Sequence, residues 1–212
     1  MRRCSFAAVC VCLLFAPAAL LAQSAAAAAP AQVEFEALLV RVKASDPAVD
    51  FARVRRVFSE SDAYRVSRDD AEQALREAFT ARAFERALAV AREMLGRNYL
   101  NLDAQFVAMA SCIELKDACA AHHRYVTAGI LSSIDKSGDG KSAATAWVVI
   151  AVPEEYAFLG VQGLEVLGQA LVEENGHKYD VLTVRDPETK AERRVYFNVD
   201  LSMAAISRLL GR

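Results

Sequence analysis

The residues best placed to do chemistry in this chain are carboxylates and hydroxyls around one glycine-rich stretch. That stretch is Asp135-Lys136-Ser137-Gly138-Asp139-Gly140-Lys141-Ser142, and Pro153-Glu154-Glu155-Tyr156 follows a little later. Asp139 with Glu154 and Glu155 supplies the carboxylates that acid–base catalysis uses, provided they line one cleft. Acidic residues just after a proline also suit a solvated helix start, because carboxylates favour the positive end of a helix. The glycine stretch lacks the first glycine of a phosphate loop, since Asp135 stands there. It also has a helical pattern before it and a strand pattern after it, the reverse of what phosphate binding needs. As a cation loop it starts well, with oxygen side chains at Asp135, Ser137 and Asp139. Its twelfth position, which should be a bidentate glutamate, is Ala146. The plainer reading is a polar turn whose Asp and Ser side chains cap nearby backbone.

Other reactive residues are sparse. The histidines are His122, His123 and His177. Neighbours on a helix diverge by about 100°, so His122 and His123 are not expected to face one site. The chain has no Gly-x-Ser-x-Gly elbow and no His-Glu-x-x-His pair. No cofactor is expected. Two readings of function remain: a non-catalytic binding or structural module, or a hydrolase with acidic residues in a cleft. The expected ligand or partner groove is bordered by Asp139, Lys141, Ser142, Glu154, Glu155 and Tyr156. Its occupant is an exported protein or a small ligand of unknown identity.

The start of the chain indicates where it works. Met1-Arg2-Arg3 is followed by an apolar run from Cys4 to Leu21 and a small-residue tract from Ala22 to Ala31. This order is that of an export leader with a cleavage region. The run is short for a membrane span, is interrupted by Pro17 and lacks a following charge cluster. Gln23 stands where a lipoprotein would need cysteine. A periplasmic or secreted protein without stable membrane insertion is therefore expected after cleavage. The 212-residue chain has a formal charge of −2. Nothing in that balance suggests a nucleic-acid surface.

Cys4, Cys10 and Cys12 fall in the leader, which leaves Cys112 and Cys119. On one straight helix, a seven-residue separation is about 10 Å of rise, too far for a disulfide. A turn at Leu115-Lys116-Asp117 would bring the two residues face to face. A bridge and a pair of small buried hydrophobes are both compatible with this reading. Two thiols at this spacing do not make a metal site.

The elements that must position these residues fall in two regions. After the leader (1–31), residues 32–133 carry helical spacing. Phe35, Leu38, Leu39 and Val42 form one apolar stripe, and Ala71, Ala74, Leu75, Ala78 and Phe79 form another. Phe84, Ala87, Leu88, Ala91 and Leu95 make a third, and further helices are expected at about 102–114 and 118–132. The alanine-rich pairs loosely resemble tetratricopeptide hairpins. Residues 134–212 are β-rich. Ala146 to Val152 is apolar on both faces, which predicts a central covered strand. Asn175-Gly176 predicts a hairpin between about 166–173 and 178–185. Val195, Phe197, Val199 and Leu201 alternate with Arg194, Tyr196, Asn198 and Asp200, which predicts a half-buried antiparallel strand. The expected fold is α+β, with N-terminal helical hairpins packed as one unit on a small antiparallel sheet.

A family resemblance then emerges from the order of several short motifs. They are Ser137-Gly138-Asp139-Gly140-Lys141-Ser142, Thr145-Ala146-Trp147, Val149-Ile150, Glu155-Tyr156, Gln169-Ala170-Leu171, Tyr179-Asp180 and Val195-Tyr196-Phe197-Asn198. In this order they resemble the bacterial family called domain of unknown function 4919, as do Asp103-Ala104 and the helical hairpins upstream. The resemblance implies the architecture and export, and carries no activity or catalytic residues with it.

Overall fold

The computed structural model describes residues 18–64 and 69–211, with side chains from Pro30 onward apart from those of Asp69 and Asp70. Most of the expected leader therefore lies outside the described residues. Six helices come first: α1 (Ala18–Lys43), α2 (Phe51–Glu60), α3 (Asp69–Thr80), α4 (Phe84–Arg97), α5 (Leu102–Glu114) and α6 (Cys119–Asp135). A strand β1 (Trp147–Val148) and helix α7 (Val152–Val161) follow. Then come β2 (Glu165–Glu174), β3 (His177–Arg185), β4 (Glu192–Asn198) and helix α8 (Asp200–Leu209).

The helical stripes bury as their spacing predicts. Phe35 and Val42 of α1 meet Val54 and Phe58 of α2, and the Phe35 and Phe58 rings lie 4.9 Å apart. The Asp50 carboxylate caps α2 by accepting the backbone N–H groups of Ala52 and Arg53. A second cluster joins α3, α4 and α5, where Ala78, Ala87, Ala91, Ala104 and Ala108 are almost wholly buried. Side chains this small let helix backbones approach closely. The α5–α6 turn places Lys116 at φ 56° and lets Asp117 N–H reach Cys112 O. Cys112 and Cys119 are joined there as a disulfide, with their Cα atoms 5.8 Å apart.

The sheet order is β1-β4-β3-β2. β2 and β3 form the expected hairpin through Asn175 and Gly176, both at positive φ, as a tight two-residue turn requires. β3 and β4 are antiparallel, but β1 runs parallel to β4, so the sheet is mixed rather than purely antiparallel. The expected central strand over Ala146–Val152 is corrected on two counts: β1 has only two residues and lies at an edge. Groups that a longer, central strand would use for pairing bond elsewhere, since Val148 O accepts from Arg55 and Ile150 N–H donates to Glu154. The apolarity on both faces reports burial within the core, which Trp147, Val149 and Ile150 join, and not a central place in the sheet. The last strand also ends earlier than its alternation suggests. Val199 leaves the extended conformation, and α8 takes Leu201 back toward the α2 side of the core, where Ala205 is fully buried. One continuous core thus includes Phe35, Val54, Ile130, Phe158, Leu182, Phe197 and Ala205.

Candidate functional site

The expected groove residues have separate structural duties. Glu154 is not at a solvated helix start; it is 3% exposed and paired with the equally buried Arg55. Arg55 Nε lies 3.1 Å from Glu154 Oε1, and Arg55 Nη2 lies 2.5 Å from Oε2. The same guanidinium donates to Ser133 Oγ and Val148 O, and Oε2 also accepts Ile150 N–H. One ion pair therefore ties together α2, α6, β1 and α7.

Glu155 is fully buried. As an anion it would have no hydrogen-bond donor among the described residues. Burial first, and the adjacent Asp180 carboxylate second, push its carboxyl up to about 9. At neutral pH it is therefore an acid, beside the Asp180 carboxylate. Asp180 Oδ2 also accepts from Gln169 Nε2 at 2.7 Å, and Gln169 Oε1 accepts from Tyr156 OH at 2.6 Å. Tyr156 is thus the exposed end of a chain that leads to a buried acid.

The glycine-rich loop is a capped turn. Asp139 Oδ1 accepts Thr145 Oγ1–H at 2.6 Å and Lys141 N–H at 3.0 Å, and Oδ2 pairs with Lys141 Nζ at 3.0 Å. The Thr145 bond, then the Lys141 contacts, lower the Asp139 carboxyl to about 2. Ser142 Oγ meets Thr145 Oγ1. Ser137 Oγ donates to Ile134 O and accepts Val148 N–H, and Asp135 is the last residue of α6. No group of three His, Cys, Asp or Glu residues is arranged to hold a metal among the described residues. Gly140 has φ 65° and sits against the Trp147 ring, where a Cβ would collide at 2.4 Å. Four cavities stand out among the described residues, and none is lined by both this loop and Glu154–Tyr156.

One of those cavities brings together groups that the sequence left apart. It has a volume of about 470 Å³ and lies among α1, α2, α4 and α6. Phe35, Leu39, Phe58 and Leu95 give it apolar walls; Lys43, Arg92 and Arg97 give it cations; Tyr99, His122 and His123 complete it. No Asp or Glu lines it. Arg97 is paired with the exposed Glu93, and Lys43 Nζ sits 5.0 Å from the centre of the Tyr99 ring. The expectation that His122 and His123 face different sites is corrected: their ring centres are 5.5 Å apart and both line this cavity. The roughly 100° between them is spanned because the cavity is wider than one side chain.

Hydrogen bonds set the protonation of both rings. Gln105 donates its amide N–H to Tyr99 O, which turns its carbonyl toward His123 Nδ1 at 2.7 Å. Nδ1 therefore carries the His123 proton. Burial, then His122 and Arg92, hold the His123 pKa down at about 4, so this ring is neutral at pH 7. Burial also lowers the pKa of His122. Its Nδ1 lies 2.7 Å from Ser45 Oγ and its Nε2 2.6 Å from Tyr99 OH. A neutral imidazole has one N–H, so one hydroxyl donates to it and the other accepts from it.

A serine on a histidine suggests a nucleophile, and Ser45 also has the strained φ of 54°. The surroundings do not support that role. Ser45 does not line the cavity, and the N–H groups of Ala44, Ser45 and Asp46 are spent on α1 carbonyls. No local backbone donor is left to stabilise an oxyanion. Ser45 instead closes the end of α1 and ties it to α6. What the cavity offers is charge, shape and fixed hydroxyls.

Comparison with curated proteins and with solved structures finds no match. A family model described as "Domain of unknown function (DUF4919)" matches residues 29–208, from within α1 to within α8. The chain belongs to that family.

Proposed function

We propose that this protein is an exported, non-catalytic binding module that holds an amphipathic anion in the cavity of His122 and His123. The observation that carries the reading is the cavity lining: three cations and no carboxylate above an apolar wall of Phe35, Leu39, Phe58 and Leu95. A concave, mostly apolar site with a few fixed polar groups is the usual form of a small-ligand pocket. The cations favour a carboxylate, sulfonate or phosphate head, and the wall favours a hydrocarbon or aromatic body.

The export part of the reading is supported by the charged, apolar and small-residue order of the first thirty-one residues. The Cys112–Cys119 bridge suits an oxidising compartment, periplasmic or secreted. The family match begins at residue 29, near the end of the small-residue tract. Among the described residues no helix is long and apolar enough to cross a membrane.

A hydrolase built on Asp139, Glu154 and Glu155 has less support. Glu154 is locked to Arg55, Glu155 has no solvent exposure, and Asp139 caps a different loop.

The test is calorimetric titration with decanoate, and with decanol as the uncharged control. Decanoate should bind and stabilise the protein, decanol should bind far more weakly, and Lys43→Glu/Arg92→Glu should abolish decanoate binding without unfolding the protein. Absence of decanoate binding, or binding unchanged in the charge-reversed variant, would contradict the proposal. N-terminal sequencing of the exported product tests the location; a chain that retains Met1 would contradict it.

A further inference from the structure

The sheet ends on one side at β2, and among the described residues no strand pairs with that edge. β2 is ten residues long and pairs only with β3, so its outer N–H and C=O groups face away from the sheet. Almost all of it is exposed, including Leu167 at 39%, Leu171 at 58% and Val172 at 40%. Monomeric proteins blunt such edges with lysine, proline or short strands, because an open edge templates further pairing. β2 contains no lysine and no proline, and its one irregularity is the bulge between Val166 and Gly168.

We propose that β2 pairs antiparallel with β2 of a second copy, giving a closed two-fold dimer with one continuous sheet. The regular stretch from Gly168 to Glu174 is its own complement. A two-fold axis at Leu171 sets Leu171 opposite Leu171 of the second copy. It sets Ala170 opposite Val172, Gln169 opposite Glu173, and Gly168 opposite Glu174. Paired residues lie on the same face of the sheet, as antiparallel pairing demands. No two carboxylates stand opposite each other, and Glu173 keeps Lys178 as its neighbour on β3. Moving the axis to Val172 would set Glu173 against Leu171, and moving it to Ala170 would run the pairing into the bulge. Growth stops at two chains, because the other edge of the sheet is the two-residue β1, held by Arg55 and Ser137. The arrangement is therefore isologous and closed. It does not depend on the anion-binding cavity.

Light scattering on size-exclusion fractions of the purified protein tests this. The expected result is twice the chain mass, and Leu171→Lys, which sets two ammonium groups at the axis, should give a folded monomer with unchanged circular dichroism. Leu171→Cys provides a second readout in a Cys4→Ser/Cys10→Ser/Cys12→Ser background, where Cys112 and Cys119 remain bridged. It should cross-link to a dimer under mild oxidation, whereas Val33→Cys on the exposed face of α1 should not. A wild-type protein that stays monomeric into the high-micromolar range overturns the proposal. So does a folded Leu171→Lys dimer, or a Leu171→Cys protein that cross-links no faster than Val33→Cys.

Discussion

Replacing Glu155 by glutamine should make the protein more stable, by an amount that grows with pH. Glu155 is fully buried, and its carboxyl is pushed from an ordinary 4.5 to about 9, chiefly by burial and then by Asp180. Between those two values the folded chain keeps a proton that the unfolded chain has released. Folding therefore takes up a proton, and stability falls as pH rises from about 4.5 toward about 9. The limiting slope is about 1.4 kcal/mol per pH unit, so by pH 7 the accumulated cost is on the order of 3 kcal/mol. Glutamine has nearly the same shape, places N–H donors beside Asp180, and has no proton to lose. Urea denaturation at several pH values would measure the difference. Wild type and Glu155→Gln should be alike at pH 4, and the variant should be ahead by about 1–3 kcal/mol at pH 7, the lower figure allowing for relaxation and residual structure in the unfolded chain. A variant with no advantage at pH 7, or with the same pH slope as wild type, would refute the view that Glu155 is held as a buried acid.

Two further outcomes follow from the same packing. Glu154→Gln leaves the Arg55 cation buried without its counter-charge and should cost about 3–5 kcal/mol, seen as a lower urea midpoint. Reducing the Cys112–Cys119 bridge should cost about 2 kcal/mol, because the loop it closes is short; two reactive thiols in native, unreduced protein would contradict the bridge itself.

How much of this was legible in the sequence depended on whether the signal was local. The helical stripes, the turn that apposes Cys112 and Cys119, and the Asn175-Gly176 hairpin are each set by residues a few positions apart, and each stands as expected. Ala146–Val152 misled because apolarity on both faces records burial, whereas strand length depends on which groups take the backbone hydrogen bonds. Here Arg55 and Glu154, distant in sequence, take two of them. The α8 helix was missed because Val199 and Leu201 continue the alternation of β4 across a chain reversal. Glu154 and Glu155 were misplaced for a related reason. Acidic residues after a proline suit an exposed helix start, and nothing local announces that Arg55 and Asp180 await them inside.

The cavity was the least legible feature, and its physical cause bears on what the protein does. Lys43, Arg92 and His122 come from three helices, and each has an ordinary surface explanation when read alone. Only the tertiary fold, which brings α1, α4 and α6 around one cavity, gathers them over Phe35 and Leu95. Burial lowers the pKa of both histidines there. His123 is neutral with its proton turned toward Gln105, and both His122 nitrogens are engaged by hydroxyls. A general base needs a nitrogen free to take a proton from a substrate, and a nucleophile needs an adjacent oxyanion donor. Ser45 lacks such a donor, and His123 Nε2, although it keeps a lone pair, is a weak base with the ring pKa held at about 4; the cavity keeps cations and neutral donors fixed around an apolar floor. That arrangement of charge and shape is what the proposal of a binding site rests on.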